Sequence, residues 1–324
     1  MDVLIIGFSS IVRRRVLPAV LTLPGVTKIH VASRCGDPRE MIPEQRRGML
    51  LADYETALKR CPPCLCYVSL PNSLHAVWAK KALDKGHHVV LDKPAVTRLE
   101  DALALADLST ERGLCLAEAN VWPYHPLAEA FQQVIREDGS PPQAVVAVFT
   151  SPPLNPDNFR YQPEFGAGAL LDRGPYAVSS GRFLFGQVPA RIACDIVSSE
   201  AQGRVDISFS TTLSYPCGSS LLGFFSLGAV YRNSLSMIGG RYACEAERIF
   251  TPPADFRGTV VVQQGNARHN VETASGDTFA AFLQHVMDQI ASNDQAKFAE
   301  ILVQDATVLD EMRKVAQHCL PEHH

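Results

Sequence analysis

Apolar residues in the first third of the chain occur in short runs that alternate with amphipathic stretches. The runs predict strands over residues 3–6, 28–33, 65–70, 88–91 and 114–118. Apolar residues at helical spacing predict helices over 11–23, 73–85 and 98–112. Strands that alternate with helices are typical of a parallel sheet covered on both faces, so we predict a doubly wound α/β domain here.

After Pro126 the pattern changes to longer strands in which apolar and polar residues alternate. A helix over 127–137 precedes strands predicted over 143–150, 192–197, 205–213, 219–226, 230–238 and 258–264, and two helices close the chain over 277–291 and 295–318. The fold class is therefore predicted as α/β, with a Rossmann domain over 1–122 and an α+β domain over 123–324. The second domain would be built on an open, mainly antiparallel sheet, and the closing helices could pack back on the first domain.

The balance of charges argues against two classes of partner. The 324 residues include 30 Lys+Arg and 34 Asp+Glu, a formal net charge of -4, which provides no basic field to recruit nucleic acid or an anionic membrane. No apolar stretch reaches the ~20 residues of a membrane helix. The opening run MDVLIIG is predicted to be a buried strand rather than a signal peptide, and we expect a cytoplasmic protein.

The cysteines indicate a reducing compartment. Nine cysteines, an odd number scattered through a large chain, argue against a disulfide framework. Cys61 and Cys64 have the spacing of redox pairs and zinc ligands, but no second pair follows that would complete four ligands. We therefore predict no metal site.

The first strand leads into a candidate phosphate-binding turn. Gly7 follows the strand, and we assign the turn to Gly7, Ser9, Ser10 and Ile11, before a helix whose N-terminus could receive a pyrophosphate. Ser9 and Val12 stand where the glycine fingerprint has its second and third glycines. Taken alone, this match is weak.

The end of the second strand indicates the preferred dinucleotide. An acidic residue usually binds the ribose 2′-hydroxyl of NAD here, whereas this strand ends at Ser33 followed by Arg34. A hydroxyl and a guanidinium suit a 2′-phosphate, so NADP(H) is favoured over NAD(H), which stays possible.

Further segments carry a more specific resemblance. They are Tyr67-Val-Ser-Leu-Pro71-Asn72-Ser-Leu-His75, Asp92-Lys93-Pro94, Glu118-Ala-Asn120-Val-Trp-Pro-Tyr-His125-Pro126 and Gly166-Ala-Gly168-Ala-Leu-Leu-Asp172-Arg-Gly174-Pro-Tyr176. In these segments the chain resembles the glucose-fructose oxidoreductase and inositol dehydrogenase family (Gfo/Idh/MocA). Together with residues 157–161, the second half looks closest to the branch that reduces keto-sugars, including nucleotide-linked hexoses.

The resemblance implies roles for particular residues. The family's lysine corresponds to Lys93, its motif aspartate to Asp172, and the position four residues later, often histidine, to Tyr176; Asp92 replaces the usual glutamate. It also implies a cofactor-binding role for Leu70, Pro71, Asn72, His75, Asp92 and Lys93.

A mechanism can be formulated on these residues. Hydride transfer to a sugar carbonyl requires a proton at its oxygen, and we assign that proton to Tyr176, assisted by the positive charge of Lys93. If Asp172 lies on a helix, Tyr176 is one turn further on the same face, and Asp172 would orient the sugar. His125 is predicted to line the site, and Arg160 to bind an anionic part of the substrate.

Two other functions stay open. The first is an NAD-linked cyclitol or sugar dehydrogenase. The second is a regulatory or scaffold protein that binds a dinucleotide without turnover, because two glycines are missing from the phosphate turn. In either case we expect a homo-oligomer, because an open sheet leaves one apolar face that a second subunit can cover.

Overall fold

The structure, a computed structural model, describes residues 1–200 and 203–319 and divides into two compact units. The first unit contains residues 1–119 and 279–306, and the second contains residues 120–278 and the chain from Thr307 onward. The domain boundary expected after residue 122 stays a prediction.

The first unit is built on a parallel six-stranded sheet. Its strands are β1 Val3–Ile6, β2 Ile29–Ala32, β3 Arg47–Leu51, β4 Leu65–Val68, β5 His88–Leu91 and β6 Leu116–Glu118. They are ordered β3-β2-β1-β4-β5-β6, and each pair is parallel. This is the strand order of a dinucleotide-binding Rossmann sheet, so the predicted fold of the N-terminal half is confirmed.

Helices connect the strands of this sheet. They are α1 Leu17–Thr22, α2 Tyr54–Arg60, α3 His75–Asp84 and α4 Leu99–Glu111, with a π-helical turn over Val12–Val16 immediately before α1. All residues of β1, β2 and β4 are buried, as expected where helices cover both faces of a sheet. The α7 helix, Thr278–Ser292, lies almost wholly in the same unit, and α8, Ala296–Cys319, contributes residues to both units.

The sequence pattern did not predict β3 and α2. Strand β3 lies at the sheet edge, its five residues are all half-buried, and its apolar run is only the three residues 49–51. Helix α2 has only seven residues and is too short for helical periodicity to be recognised. Its start is fixed by Asp53, whose carboxylate accepts a hydrogen bond of 2.7 Å from the backbone N–H of Thr56.

The second unit is built on an eight-stranded sheet. Its strands are β7 Ala144–Thr150, β8 Arg191–Glu200, β9 Val205–Ser214, β10 Ser220–Ser226, β11 Arg232–Ile238, β12 Tyr242–Glu247, β13 Thr259–Gln264 and β14 Ala267–Glu272. The order is β14-β13-β12-β11-β7-β10-β9-β8. Strands β7 and β10 pair parallel and the other neighbours pair antiparallel, which confirms the predicted open, mainly antiparallel sheet.

Helices pack on one face of this sheet, and the other face exposes apolar side chains. Helices α5, Pro126–Asp138, and α6, Ala169–Phe185, pack on one face. The core there is rich in buried aromatic side chains, namely Trp122, Phe131, Phe149, Phe209, Phe225 and Phe250. Strands β7, β10 and β11 expose Val146, Leu222 and Ile238, which are not part of this core. Strands β12 and β14 were not predicted, because β12 contains two glutamates and no β-branched residue, and five residues of β14 are exposed.

Within the described part of the chain, no helix combines the length and apolarity that crossing a membrane requires. Among those residues there is also no group of three or more His, Cys, Asp or Glu side chains arranged to hold a metal ion.

Candidate functional site

The phosphate turn lies at the carboxyl end of β1. Gly7 has φ of 92°, and a Cβ at this position would lie 2.1 Å from the backbone oxygen of Ser69. Only glycine fits such a close approach. Ser10 and Ile11 then lead into the π-helical turn, so the chain places a helix start beside the glycine, as a pyrophosphate requires.

Ser9 occupies the position of the second glycine without disturbing this turn. Its Oγ accepts a hydrogen bond of 3.2 Å from the backbone N–H of Val12 and lies 2.8 Å from Ser69 Oγ. The side chain therefore stabilises both the helix start and its contact with β4.

The end of β2 presents the residues expected to select NADP. Ser33 Oγ accepts a hydrogen bond of 3.1 Å from the N–H of Cys35. The exposed guanidinium of Arg34 lies 4.9 Å from the ring centre of Tyr54. The single hydrogen of the Ser33 hydroxyl is donated to the backbone oxygen of Cys35, so a contact of Ser33 with the cofactor stays a prediction. An aromatic ring restricts where a guanidinium can point, so the position of Arg34 fits binding of a 2′-phosphate.

Asp92 is fixed by two hydroxyl groups of the neighbouring strand. Tyr67 at 0% exposure donates to Asp92 Oδ1, and Ser69 at 3% exposure donates to Asp92 Oδ2. Burial raises the pKa of Tyr67 well above its ordinary value, and the nearby Asp92 carboxylate acts in the same direction, so the phenol stays a donor. Lys93 follows, joined to Pro94 by a cis peptide bond.

The residues from Leu70 to His75 form the loop between β4 and α3. Leu70 and Pro71 precede a single 3-10 turn, Asn72–Leu74, in which Asn72 is buried. His75 is 1% exposed, with Nδ1 2.9 Å from the oxygen of Pro94 and Nε2 2.9 Å from the oxygen of Leu70. Its ring thus joins this loop to the Lys93-Pro94 loop, and burial lowers its pKa. Direct contact of His75 with a cofactor stays a prediction.

In the second unit, the start of helix α6 is stabilised by a carboxylate from a distant strand. The residue before the helix, Gly168, has φ of 104° and supplies no side chain as a cap. Asp206 on β9 accepts a hydrogen bond of 2.5 Å from the N–H of Leu170. Burial raises the pKa of Asp206. Hydrogen bonds from backbone N–H groups, including that of Leu170, and the positive charge of Arg313 act in the opposite direction. Asp206 thus caps the N-terminus of α6, and Asp172 lies inside the helix.

Asp172 and Tyr176 both lie on α6, one turn apart, with 4% and 8% exposure. The Asp172 carboxylate is 2.9 Å from Nε of Arg160 and 3.2 Å from Nε of Arg173. Arg173 also lies 3.8 Å above the ring of Phe149. A carboxylate held by two guanidinium groups is stabilised as the anion, so Asp172 can accept but not donate hydrogen bonds.

Tyr176 and His125 occupy different environments in the second unit. The ring of Tyr176 packs 5.0 Å from Phe149 and 5.2 Å from Phe250. His125 is the cap of α5, because its Nδ1 accepts a hydrogen bond of 3.0 Å from the N–H of Leu127. Its assignment as a residue lining the site stays a prediction.

Sequence reasoning missed four residues: Tyr67, Ser69, Arg173 and Asp206. Tyr67 lies in the buried strand β4 and Ser69 follows it directly, so their hydroxyls could have been recognised as partners for a carboxylate at the end of the next strand. Arg173 directly follows Asp172, and nothing in the motif indicates that the arginine side chain is largely buried. Asp206 lies 36 residues from Leu170, and no sequence pattern predicts that contact.

Two family models match the chain. One is described as "Oxidoreductase family, NAD-binding Rossmann fold" and matches residues 1–120, and the other as "GFO/IDH/MocA C-terminal domain" and matches residues 140–244.

Similar proteins cover nearly the whole chain. A dTDP-3,4-didehydro-2,6-dideoxy-alpha-D-glucose 3-reductase of Streptomyces violaceoruber is 28% identical over 96% of this chain and 94% of its own length. One with the same name from Saccharopolyspora spinosa is 30% identical over 80% and 78%. The crystal structure of KijD10, a 3-ketoreductase from Actinomadura kijaniata in complex with NADP and TDP-benzene, matches with a TM-score of 0.90, 27% identity and 98% coverage of both chains.

Proposed function

Because the chain belongs to the GFO/IDH/MocA oxidoreductase family, we propose that it uses NADPH to reduce the keto group of a nucleotide-linked hexose. The family inferred from the sequence is confirmed, and with it an NAD(P)-dependent oxidoreductase that acts on sugars. The observation that carries the proposal is the full-length similarity to a 3-ketoreductase crystallised with NADP and TDP-benzene.

The residues of the first unit support NADPH as the reductant. Gly7 lets the turn after β1 pack closely against Ser69 next to a helix start, and Arg34 provides a fixed positive charge for the 2′-phosphate. When bound, reduced nicotinamide supplies a hydride. Lys93 follows Asp92, whose two oxygens are held by Tyr67 and Ser69, so the loop that carries the lysine is fixed at its start.

In the second unit, Tyr176 donates the proton and Asp172 orients the sugar. As the carbonyl carbon gains the hydride, the phenol of Tyr176 protonates the oxygen and Lys93 stabilises the negative charge that develops, so that an alcohol results. Asp172 accepts hydrogen bonds from sugar hydroxyls. Arg160, fixed by its ion pair with Asp172, binds an anionic part of the substrate.

The proposal is tested by following NADPH oxidation with a dTDP-linked 3-keto hexose. We expect Lys93→Met and Tyr176→Phe each to lower kcat by about 100-fold, the lower range of general acid-base effects. The matched controls Lys80→Met and Tyr231→Phe change exposed side chains and should leave kcat unchanged. Turnover within a few-fold of the parent in both site variants would overturn the assignment.

The same assay separates the two other functions. Oxidation of a cyclitol or free sugar with NAD⁺, without reduction of the keto-sugar, would indicate an NAD-linked dehydrogenase. Binding of NADPH or NADH in a calorimetric titration, without turnover of either substrate, would indicate a regulatory or scaffold protein that binds a dinucleotide.

The open face of the second sheet supports a homo-oligomer. Val146, Leu222 and Ile238 are 39%, 44% and 54% exposed on three neighbouring strands, and a second copy of this face would cover them. Light scattering should give more than one chain per particle, and Leu222→Glu should lower that number. A parent protein that is monomeric at micromolar concentration would contradict this.

The thiols of Cys61, Cys64 and Cys66 support a reducing, cytoplasmic location. All three are free and buried, and burial raises the pKa of Cys64 to about 12, which makes it unreactive. These cysteines are neither a disulfide nor a reactive pair in this structure.

A further inference from the structure

We propose that Ser9 is a positioning residue, which connects the phosphate turn to the Asp92-Lys93 loop through Ser69. This inference rests on the proposed function, because it concerns how binding of NADPH and the placement of Lys93 are coupled. It also explains why a serine replaces a glycine in the turn.

The direction of the hydrogen bonds can be derived from the number of hydrogens available. Ser69 has one hydroxyl hydrogen, and it goes to the acceptor-only carboxylate of Asp92. Ser69 Oγ can therefore only accept from Ser9 Oγ, 2.8 Å away, so Ser9 is the donor in that pair. Ser9 Oγ in turn accepts from the N–H of Val12. A single directed chain runs from the helix start to the carboxylate.

The middle residue of this chain of hydrogen bonds, Ser69, is buried, and Ser9 and Asp92 are half-buried. Ser69 is 3% exposed and its backbone N–H bonds to the oxygen of Ile6 at 2.8 Å, so its position is set by the sheet. The N–H of Asp92 bonds to the oxygen of Val68 at 3.0 Å. Hydrogen bonds in a low-dielectric environment polarise one another. Loss of the Ser9 hydroxyl should therefore weaken the hydrogen bond from Ser69 to Asp92.

Ser9→Gly distinguishes this proposal from the simpler view of the turn. If the missing glycine only weakened binding, restoring it would tighten NADPH binding. Under our proposal, glycine removes the first link, so the dissociation constant for NADPH should rise about five-fold, the effect of one net hydrogen bond. Calorimetric titration with NADPH alone measures this without any sugar substrate.

A second measurement tests whether the effect reaches Lys93. Ser9→Gly should lower kcat about five-fold in the parent but change kcat little in a Lys93→Met background. A merely structural defect would instead lower kcat in both backgrounds. Ser69→Ala should resemble Ser9→Gly, the double variant should be no worse than either single variant, and Ser69→Thr should restore the parent values because it keeps the hydroxyl.

Ser109→Ala is the matched control, since it removes a buried hydroxyl in the same unit that bonds to Ala106 within α4. It should leave both NADPH binding and kcat unchanged. Tighter binding or higher kcat in Ser9→Gly, or additive effects of Ser9→Gly and Ser69→Ala, would overturn the proposal while the reductase function stands. A parent protein that does not bind NADPH would overturn both.

Discussion

Arg160 and Asp172 form an ion pair in which Nε lies 2.9 Å from Oδ1, although they are 12 residues apart in the chain. Arg173 approaches the other carboxylate oxygen at 3.2 Å. The side chain of Asp172 is 6% exposed and that of Arg173 is 12% exposed. Two positive charges therefore share one buried negative charge, and the stability of the second unit should depend on that carboxylate.

Asp172→Ala should reduce the free energy of unfolding by about 3–4 kcal/mol, because it leaves the guanidinium of Arg173 buried without its carboxylate partner. Asp172→Asn should cost less, since it keeps two polar atoms in place. Urea unfolding of both variants measures this, with Asp195→Ala on the exposed side of β8 as the control. An unchanged stability of Asp172→Ala would show that the ion pairs contribute nothing.

Gly168→Ala should destabilise the second unit and lower activity, because its Cβ would lie 2.2 Å from Asp206 Oδ1. The variant combines an unfavourable φ with displacement of the carboxylate that caps α6, together about 2–4 kcal/mol. Gly186→Ala is the matched control: it also has positive φ but open space around it, and should cost only about 1 kcal/mol. Equal effects of the two substitutions on thermal unfolding would contradict this explanation.

Short apolar runs predicted the buried strands β1, β4 and β5, and helical periodicity predicted the amphipathic helices α3 and α4. The local pattern did not predict the edge strands β3 and β14, because β3 has only three consecutive apolar residues and five residues of β14 are exposed. Their positions follow from pairing with neighbouring strands, which is information outside the local sequence.

Motifs predicted Lys93, Asp172 and Tyr176 as site residues, and these roles stay predictions. The Asp206 cap could not be predicted, because it depends on the pairing of β9 within a sheet. Arg160 was assigned to the substrate, and the structure adds an ion pair with Asp172 that residue types alone do not indicate.

Arg34→Ala should weaken NADPH binding about ten-fold and change NADH binding less than about two-fold, because only NADPH carries the 2′-phosphate that a charged hydrogen bond can hold. Tyr54→Leu should weaken NADPH binding about three-fold, because it removes the ring that lies beneath Arg34. Calorimetric titration measures both, with Arg39→Ala as the control on an exposed ion pair. Equal losses for the two cofactors would show that Arg34 does not select NADPH.

We expect the free energy of unfolding to fall in acid because His87 must become protonated there. Burial lowers the pKa of His87 from its usual 6.5, and its Nδ1 accepts a hydrogen bond of 3.3 Å from the N–H of Cys64, which requires the neutral ring. The unfolded chain therefore binds more protons below about pH 6.5, so the stability that His87 contributes is present above that pH and is lost as pH falls through the lowered pKa.

The measurement is the free energy of unfolding of the parent and His87→Gln at pH 7.5 and 5.5. Gln does not titrate, so the parent should lose more stability than the variant between these pH values, by at most about 1.4 kcal/mol per pH unit for one proton. His269→Gln, on exposed strand β14, should keep the parent's dependence. If His87→Gln loses as much stability as the parent, the proton is taken up elsewhere, and the next ring to replace is His88, whose pKa burial also lowers.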